Sequence, residues 1–146
     1  KKANRALELF PNNSEIKGLH SKILIGDEAL NQSISFSNKG LEYFNKQDYQ
    51  NAAREFEKAL NFNPQDYAHY ENAATANYMI NNFEKALKQI NKVINELNPL
   101  NGKCEYIKAL IFIKMQDPIG ACPLLETSIK SGFSKSENLF NQYCNY

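Results

Sequence analysis

Hydrophobic residues recur at spacings of three and four along most of the chain, and polar turns separate the segments that carry them. The clearest segment has apolar residues at Ala86, Leu87, Ile90, Val93, Ile94 and Leu97. This spacing places one apolar stripe along a helix of about 3.6 residues per turn. Lys46-Gln47-Asp48 and Asn81-Asn82 are polar turns, and Asn63-Pro64 ends a helix because the residue before proline avoids the helical region. The pattern predicts pairs of helices joined by short turns.

The predicted helix pair occurs three times, with a period of about 34 residues. Segments 33–66 and 67–100 align without a gap, and a third unit follows from residue 102 after a slip of one residue. One mid-helix position is small in every unit, where it carries Gly40, Ala74 and Ala109. Another position is large and apolar, and it carries Phe56, Ile90 and Leu125. We expect the small residues to be buried where the two helices of a pair touch, because Gly inside a helix otherwise costs stability.

Aromatic and small residues in the first unit identify a known repeat. They are Phe36, Gly40, Tyr43, Tyr49, Ala52, Phe56, Ala59 and Pro64. Their order and spacing resemble those of the tetratricopeptide repeat. The resemblance implies an all-α fold, a helical-hairpin repeat array whose helix pairs form a right-handed α-α superhelix, with a C-terminal capping helix that covers the last apolar face.

The rest of the chain is divided by the same pattern. Residues 1–13 resemble the tail of a preceding repeat, and 14–32 carry an apolar stripe that indicates a connecting helix, either separate from the first full repeat or running on into it. The remaining segments are a first repeat at 33–66, a second at 67–101, a degenerate third at 102–133 and a capping helix at 134–146. In the third repeat Pro123 lies near the start of the second helix, which is expected to begin late. The sequence begins with Lys1-Lys2, without an initiator Met or a signal-peptide pattern, so we expect the chain to be part of a longer protein.

Charge and motifs narrow the classes of function. Lys and Arg number 17 against 16 Asp and Glu, a net charge of +1 that disfavours binding to nucleic acid. The longest apolar run, 109–113, has five residues, far short of the 18 or so of a membrane-spanning helix. His20 and His69 belong to no zinc-binding pair, and no phosphate loop or nucleophile elbow is present. We therefore expect no membrane insertion by this segment, no metal, no cofactor and no enzymatic activity.

In the tetratricopeptide family, the first helices of successive units line a concave groove that binds an extended peptide or a partner helix. Carried over by position, the resemblance implies a groove lined by Ser37, Asn38, Leu41, Phe44, Asn45, Glu71, Asn72, Thr75, Tyr78, Met79, Lys103 and Tyr106. The alternative is that apolar members such as Phe44 and Tyr78 simply pack between helices.

The best-known groove of this family holds a terminal carboxylate with a clamp of Lys, Asn, Asn, Lys and Arg. In this chain the clamp positions carry Ser37, Leu41, Asn72, Lys103 and Ile107. Only Asn72 and Lys103 keep the residue type, so the carboxylate loses most of its charge-assisted partners. We therefore do not expect this specificity.

The cysteines bear on the compartment. Cys122 and Cys144 lie at similar distances from the turn between the last two predicted helices, so antiparallel packing would bring them to one level. A bond between them would close a loop of about 20 residues, and two thiols packed in a core are the alternative. Cys104 is expected to be a buried small hydrophobe. The end of the chain also resembles terminal units of bacterial cell-envelope repeat proteins, which favours the periplasm or cell envelope over the cytoplasm.

Three hypotheses of function follow. The first is a protein-interaction module that binds a peptide or partner segment in the groove, as part of a larger scaffold or assembly protein of the bacterial envelope or a secretion system. The second is a structural spacer or oligomerisation segment with no peptide ligand. The third is a binder of a ligand or glycan, or an appendage of an enzyme.

Overall fold

The computed structural model describes residues 26–97 and 99–145. Over these residues the chain forms seven α-helices and no strand. The helices are α1 (Asp27–Asn45), α2 (Tyr49–Phe62), α3 (Tyr67–Met79), α4 (Phe83–Lys92), α5 (Lys103–Lys114), α6 (Pro118–Lys130) and α7 (Lys135–Tyr143), and a π-helical turn, Val93–Leu97, extends α4. The helices follow the predicted order of three hairpins and a cap, so the predicted all-α repeat array is confirmed.

The connecting helix and the first repeat are continuous in the structure, which is one of the two arrangements that the sequence left open. The predicted repeat tail at 1–13 and residues 14–25 of the predicted connecting helix lie outside the described residues. From Asp27 onward, the connecting helix and the first helix of the first unit are one continuous helix of 19 residues. The predicted boundary between residues 32 and 33 is therefore not a break in the structure.

The turns within the three hairpins and the turn before α7 each contain one residue with a positive φ. Gln47, Asn81 and Gln116 have φ values of 61°, 62° and 66°, and Gly132 has a φ of 90°. In the first of these turns the Asp48 N–H donates to the Tyr43 carbonyl at 2.9 Å, and the Gln47 N–H donates to Phe44 at 3.0 Å. This pair of hydrogen bonds is the Schellman motif, which ends a helix with one left-handed residue.

The second helix of the third unit begins earlier than expected. Pro118 is its first residue, so the predicted late start is wrong. The N-cap Asp117 accepts a hydrogen bond from the Gly120 N–H at 2.9 Å, and a proline at the first helical position lacks only an N–H that has no helical partner. Pro123 lies inside the helix and removes a hydrogen bond to the Ile119 carbonyl, which the helix tolerates.

The one-residue slip between the second and third units has a structural counterpart. The π-helical turn Val93–Leu97 lies at the end of the second unit, where the alignment slips. A π-helical turn holds one residue more than the α-helical turn it replaces. The extra residue is therefore accommodated at the end of α4, and the hairpin α5–α6 keeps the register of the other two.

The core consists of three successive clusters, one at each junction along the array. The first joins the first hairpin to α3, the second joins the second hairpin to α5, and the third joins the last hairpin to α7. Ala74 and Ala109 have no exposed surface, and Gly40 is also buried. The small position is therefore buried in every unit, as expected from the sequence. None of the helices in the described part of the chain is long and apolar enough to span a membrane.

Candidate functional site

A pocket of about 170 Å³ opens between α1, α3 and the first residue of α5. Its lining residues are Leu41, Phe44, Phe56, Asn72, Thr75 and Lys103. Five of these six were predicted from the repeat positions as groove residues. The sixth, Phe56, comes from the second helix of the first unit and was missed. The structure thus brings part of the predicted groove into one concave site.

The walls and floor of the pocket are apolar. Leu41 is 42% exposed on α1, although large apolar side chains are usually withdrawn from water. Phe44 packs edge-on against Tyr49, with 5.0 Å between ring centroids, which fixes its ring beside the opening. Phe56 is only 1% exposed and forms the floor. A ligand that enters the pocket therefore meets a preformed apolar surface.

The rim of the pocket is polar and has unused hydrogen-bonding capacity. The Asn72 amide and the Lys103 ammonium group make no side-chain hydrogen bond or ion pair within ranges 26–97 and 99–145. Thr75 Oγ1 donates to the Glu71 carbonyl at 2.7 Å, which fixes its rotamer and turns its remaining surface to the pocket. The rim can therefore offer an amide and a cation to a ligand.

Glu71 does not lie at the rim as the repeat position implied. It is only 3% exposed, and its Oε2 accepts a hydrogen bond from the Cys104 thiol at 3.5 Å. Burial raises the pKa of Glu71, and the nearby Lys103 opposes this shift. Burial and the adjacent Glu71 carboxylate raise the pKa of the Cys104 thiol. Cys104 therefore stays protonated and is a buried side chain, as expected.

The other predicted groove residues lie outside the pocket. Ser37 is buried, Asn38 and Asn45 are exposed on α1, and Met79 is half-buried. Tyr78 is half-buried under Lys114, whose Nζ lies 4.4 Å from the ring centroid and donates to the Tyr78 carbonyl at 3.1 Å. Burial raises the pKa of the Tyr78 phenol.

Tyr106 also packs between elements, with its ring centroid 5.0 Å from that of Phe133. For Tyr78 and Tyr106 the structure corresponds to the alternative, in which aromatic residues of the first helices pack between helices. Sequence position alone does not separate these residues from Leu41 and Phe44, because all of them are apolar residues on the first helix of a unit.

Ser33, His69 and Asp66 form a cluster that has the residue types of a hydrolase triad, in which Ser33 and His69 are buried and Asp66 is partly exposed. His69 Nε2 lies 2.6 Å from Ser33 Oγ and 3.5 Å from Asp66 Oδ2. Both partners thus contact the same ring nitrogen, whereas a triad uses opposite nitrogens. Ser33 has no exposed surface and donates to the Ala59 carbonyl at 3.2 Å. The cluster therefore connects α1, α2 and α3 and cannot reach a substrate.

The last helix is joined to the third hairpin by a disulfide. The sulfur atoms of Cys122 and Cys144 are bonded, and the Cα atoms of the two residues are 5.7 Å apart. This bond joins α6 to the residue that follows α7. Among the described residues, no group of three or more His, Cys, Asp or Glu side chains is arranged to hold a metal ion.

The chain resembles known proteins in one segment of sequence and in its overall fold. The family model of the tetratricopeptide repeat matches residues 34–66. No curated protein matches the chain. The matched segment ends before α3, so it does not bear on the resemblance of the C-terminal helix to envelope proteins, which stays a prediction.

Three solved structures illustrate the similarity in fold. A complex of the TPR2B domain of yeast Sti1 with pHsp70 superposes with a TM-score of 0.71 at 22% identity, over 77% of this chain and 95% of that chain. A complex of the TPR2AB domain of yeast Sti1 with pHSP90 gives 0.70 at 22% identity, over 97% of this chain and 59% of that one. The Sgt2 TPR domain of Aspergillus fumigatus gives 0.61 at 20% identity, over 75% and 80%. The chain therefore contains a tetratricopeptide repeat and has the fold of tetratricopeptide-repeat domains.

Proposed function

We propose that the chain is a protein-interaction module and that it binds an extended segment of a partner protein at the pocket between α1, α3 and α5. The observation that carries this proposal is the combination of an open apolar pocket with a rim amide and a rim cation that make no side-chain hydrogen bond or ion pair with the described residues. The pHsp70 and pHSP90 complexes of the similar yeast Sti1 domains support it, because both are complexes with a further molecule.

The lining residues define the chemistry of the bound segment. Leu41, Phe44 and Phe56 would surround one apolar side chain, and Asn72 would donate to and accept from the main chain of an extended peptide. Lys103 would contact an acidic group beside that apolar side chain. A carboxylate clamp is not part of this proposal, because Leu41 occupies one clamp position and Ile107, at another, is only 5% exposed.

The proposal is tested by screening an array of short peptides with the purified domain and measuring affinities for the captured sequences by fluorescence anisotropy. Leu41→Glu places a charge on the pocket wall and should abolish capture, while the melting temperature stays near that of the wild type because Leu41 is exposed. The matched control is Ile119→Glu, which changes an apolar residue that is 71% exposed on α6, away from the pocket. Equal peptide binding by both variants would contradict the proposed site.

A chain that captures no peptide would correspond to the spacer hypothesis, in which the array only sets the distance between neighbouring parts of a larger protein.

We further propose that the Cys122–Cys144 bond forms in the native protein and that the chain works in an oxidising compartment such as the bacterial envelope. Mass spectrometry of the protein, isolated with thiols blocked before any reduction, tests this proposal. Two alkylated thiols at Cys122 and Cys144 would contradict it.

A further inference from the structure

We infer that the absence of a side chain at Gly40 sets the depth of the pocket, and thereby the size of the ligand side chain that the chain accepts. This inference rests on the proposed peptide binding, and it adds a size-selecting residue that does not itself contact the ligand. Gly40 does not line the pocket. It acts through Phe56, which forms the pocket floor and packs directly on Gly40.

The contact between Gly40 and Phe56 leaves no room for a methyl group. A Cβ atom placed on Gly40 would lie 2.5 Å from Cε1 and 2.6 Å from Cδ1 of the Phe56 ring. Separations below about 3.5 Å between carbon atoms are repulsive. An alanine at position 40 would therefore have to displace the ring.

The surroundings of Phe56 determine the direction of that displacement. The ring belongs to a cluster with Ala52, Ala53, Ala73 and Ala76, which have between 0% and 4% of their surface exposed. Close-packed neighbours of this kind yield little volume. The pocket is the open space beside the ring, so a displaced ring moves into it. At about 170 Å³ the pocket is comparable to an apolar cavity of about 150 Å³ that admits benzene, and a shift of the ring would exclude a side chain of that size.

The other two units show how the same contact is made when the small position carries a methyl group. Ala74 is matched with Ile90, and Ala109 is matched with Leu125, and all four residues are fully buried. The unit with an aromatic ring at the large position therefore has glycine at the small position, whereas the units with Ile90 and Leu125 have alanine there. The double variant Gly40→Ala/Phe56→Leu reproduces the pair of the third unit and serves as a matched control.

The experiment uses side-chain analogues with peptide groups on both sides, namely the N-acetyl amides of alanine, leucine, phenylalanine and tryptophan. Each amide is titrated into the full chain, whose methyl groups are isotopically labelled, and binding is followed from the NMR shifts of the Leu41 and Thr75 methyl groups. The wild type should bind the leucine and phenylalanine amides more tightly than the alanine amide. Gly40→Ala should weaken the phenylalanine amide by about tenfold, as expected for a lost fit in an apolar pocket, and leave the alanine amide nearly unchanged.

The double variant should recover binding of the phenylalanine amide, because the smaller leucine restores the space. Should Gly40→Ala fail to fold, Phe56→Leu alone provides the test, since the lower floor should then favour the tryptophan amide over its wild-type affinity. An unchanged order of affinities in a folded Gly40→Ala, or in Phe56→Leu, would overturn the inference while leaving the proposed peptide binding intact. Absence of any saturable shift in the wild type would overturn both.

Discussion

The first and third hairpins close on themselves through the same main-chain contact, with the roles of the two helices reversed. In the first, Ser33 Oγ on α1 donates to the Ala59 carbonyl on α2; in the third, Ser128 Oγ on α6 donates to the Gly102 carbonyl, next to α5. The two pairs have the same separation of 26 positions. Equivalent repeat positions can therefore supply the hydrogen bond from either helix.

The two junctions differ in the group that each serine contacts next. Ser33 contacts the titratable ring of His69 on α3, whereas Ser128 contacts the Ser136 hydroxyl on α7 at 2.6 Å. A disulfide reinforces the second junction and not the first. The hydroxyl contact of the C-terminal junction is therefore accompanied by a covalent bond, whereas the contact between the first and second units contains a titratable histidine.

The largest expected effect is the loss of stability that follows removal of the disulfide at the C-terminal junction. Cys122→Ser opens a loop closed over 22 positions, for which chain entropy gives a loss of about 3 kcal/mol in the free energy of unfolding. Urea unfolding of the variant and of the wild type without reductant measures this loss. Wild-type protein with reductant should fall to the stability of the variant, and peptide binding at the pocket should not change. Identical midpoints for oxidised and reduced wild type would show that the bond does not hold α7.

The second expected effect is a loss of stability in acid, caused by protonation of His69 at the junction of the first and second units. The Ser33 hydroxyl donates its hydrogen bond to the Ala59 carbonyl, so His69 Nε2 carries a proton and donates to Ser33 Oγ. When acid protonates the ring, the added proton must therefore bind to Nδ1, which is buried without a hydrogen-bond partner among the described residues. Burial lowers the pKa of His69 from its ordinary 6.5, against the nearby Asp66.

This lowered pKa fixes the sign of the pH dependence. The unfolded chain binds the proton first, so the stability is fully present above pH 6.5 and is lost as the pH falls through the lower folded pKa. One proton changes the free energy of unfolding by at most about 1.4 kcal/mol per pH unit. The free energy of unfolding of wild type and of His69→Gln is measured between pH 7 and pH 5, and the difference between the two curves isolates the contribution of His69, because groups common to both chains contribute to both curves. Parallel curves would contradict a buried neutral His69.

The smallest expected effect concerns the turns. Gln47 has a φ of 61°, which is unfavourable for any residue with a Cβ, so Gln47→Gly should stabilise the first hairpin by about 1 kcal/mol. The reverse change, Gly132→Gln, should destabilise the cap by a similar amount, since a Cβ at Gly132 would touch nothing within 4 Å and only the backbone is affected. Chemical unfolding measures both, and effects of the same sign would show that the φ values do not control these turns.

Much of the fold could be predicted from the sequence because it depends on side-chain size at fixed intervals. Gly40, Ala74 and Ala109 mark the close contacts within the hairpins, and their burial follows from size alone. The start of α6 could not be predicted in the same way. A proline predicts a break in a helix unless it lies in the first turn, where its missing N–H has no helical partner. Whether Pro118 lies in the first turn depends on the cap formed by Asp117.

The candidate site was only partly predictable for a different reason. Leu41, Asn72 and Lys103 follow from their positions in the repeat, but Phe56 is a core residue by every sequence criterion. Its role as the floor depends on space around the ring, which no single position encodes. Likewise, Glu71 occupies a groove position, yet the neighbouring Cys104 and the surrounding helices bury it.

The π-helical turn Val93–Leu97 shows where such an array tolerates a change in length. The extra residue is taken up at the end of a helix, where Asn95 and Glu96 are exposed and where the chain leaves one unit for the next. The hairpins on both sides keep their alignment, so a gain of one codon at this joint leaves the packing within each hairpin intact. A gene for a repeat array can therefore drift in period at its joints without loss of the fold.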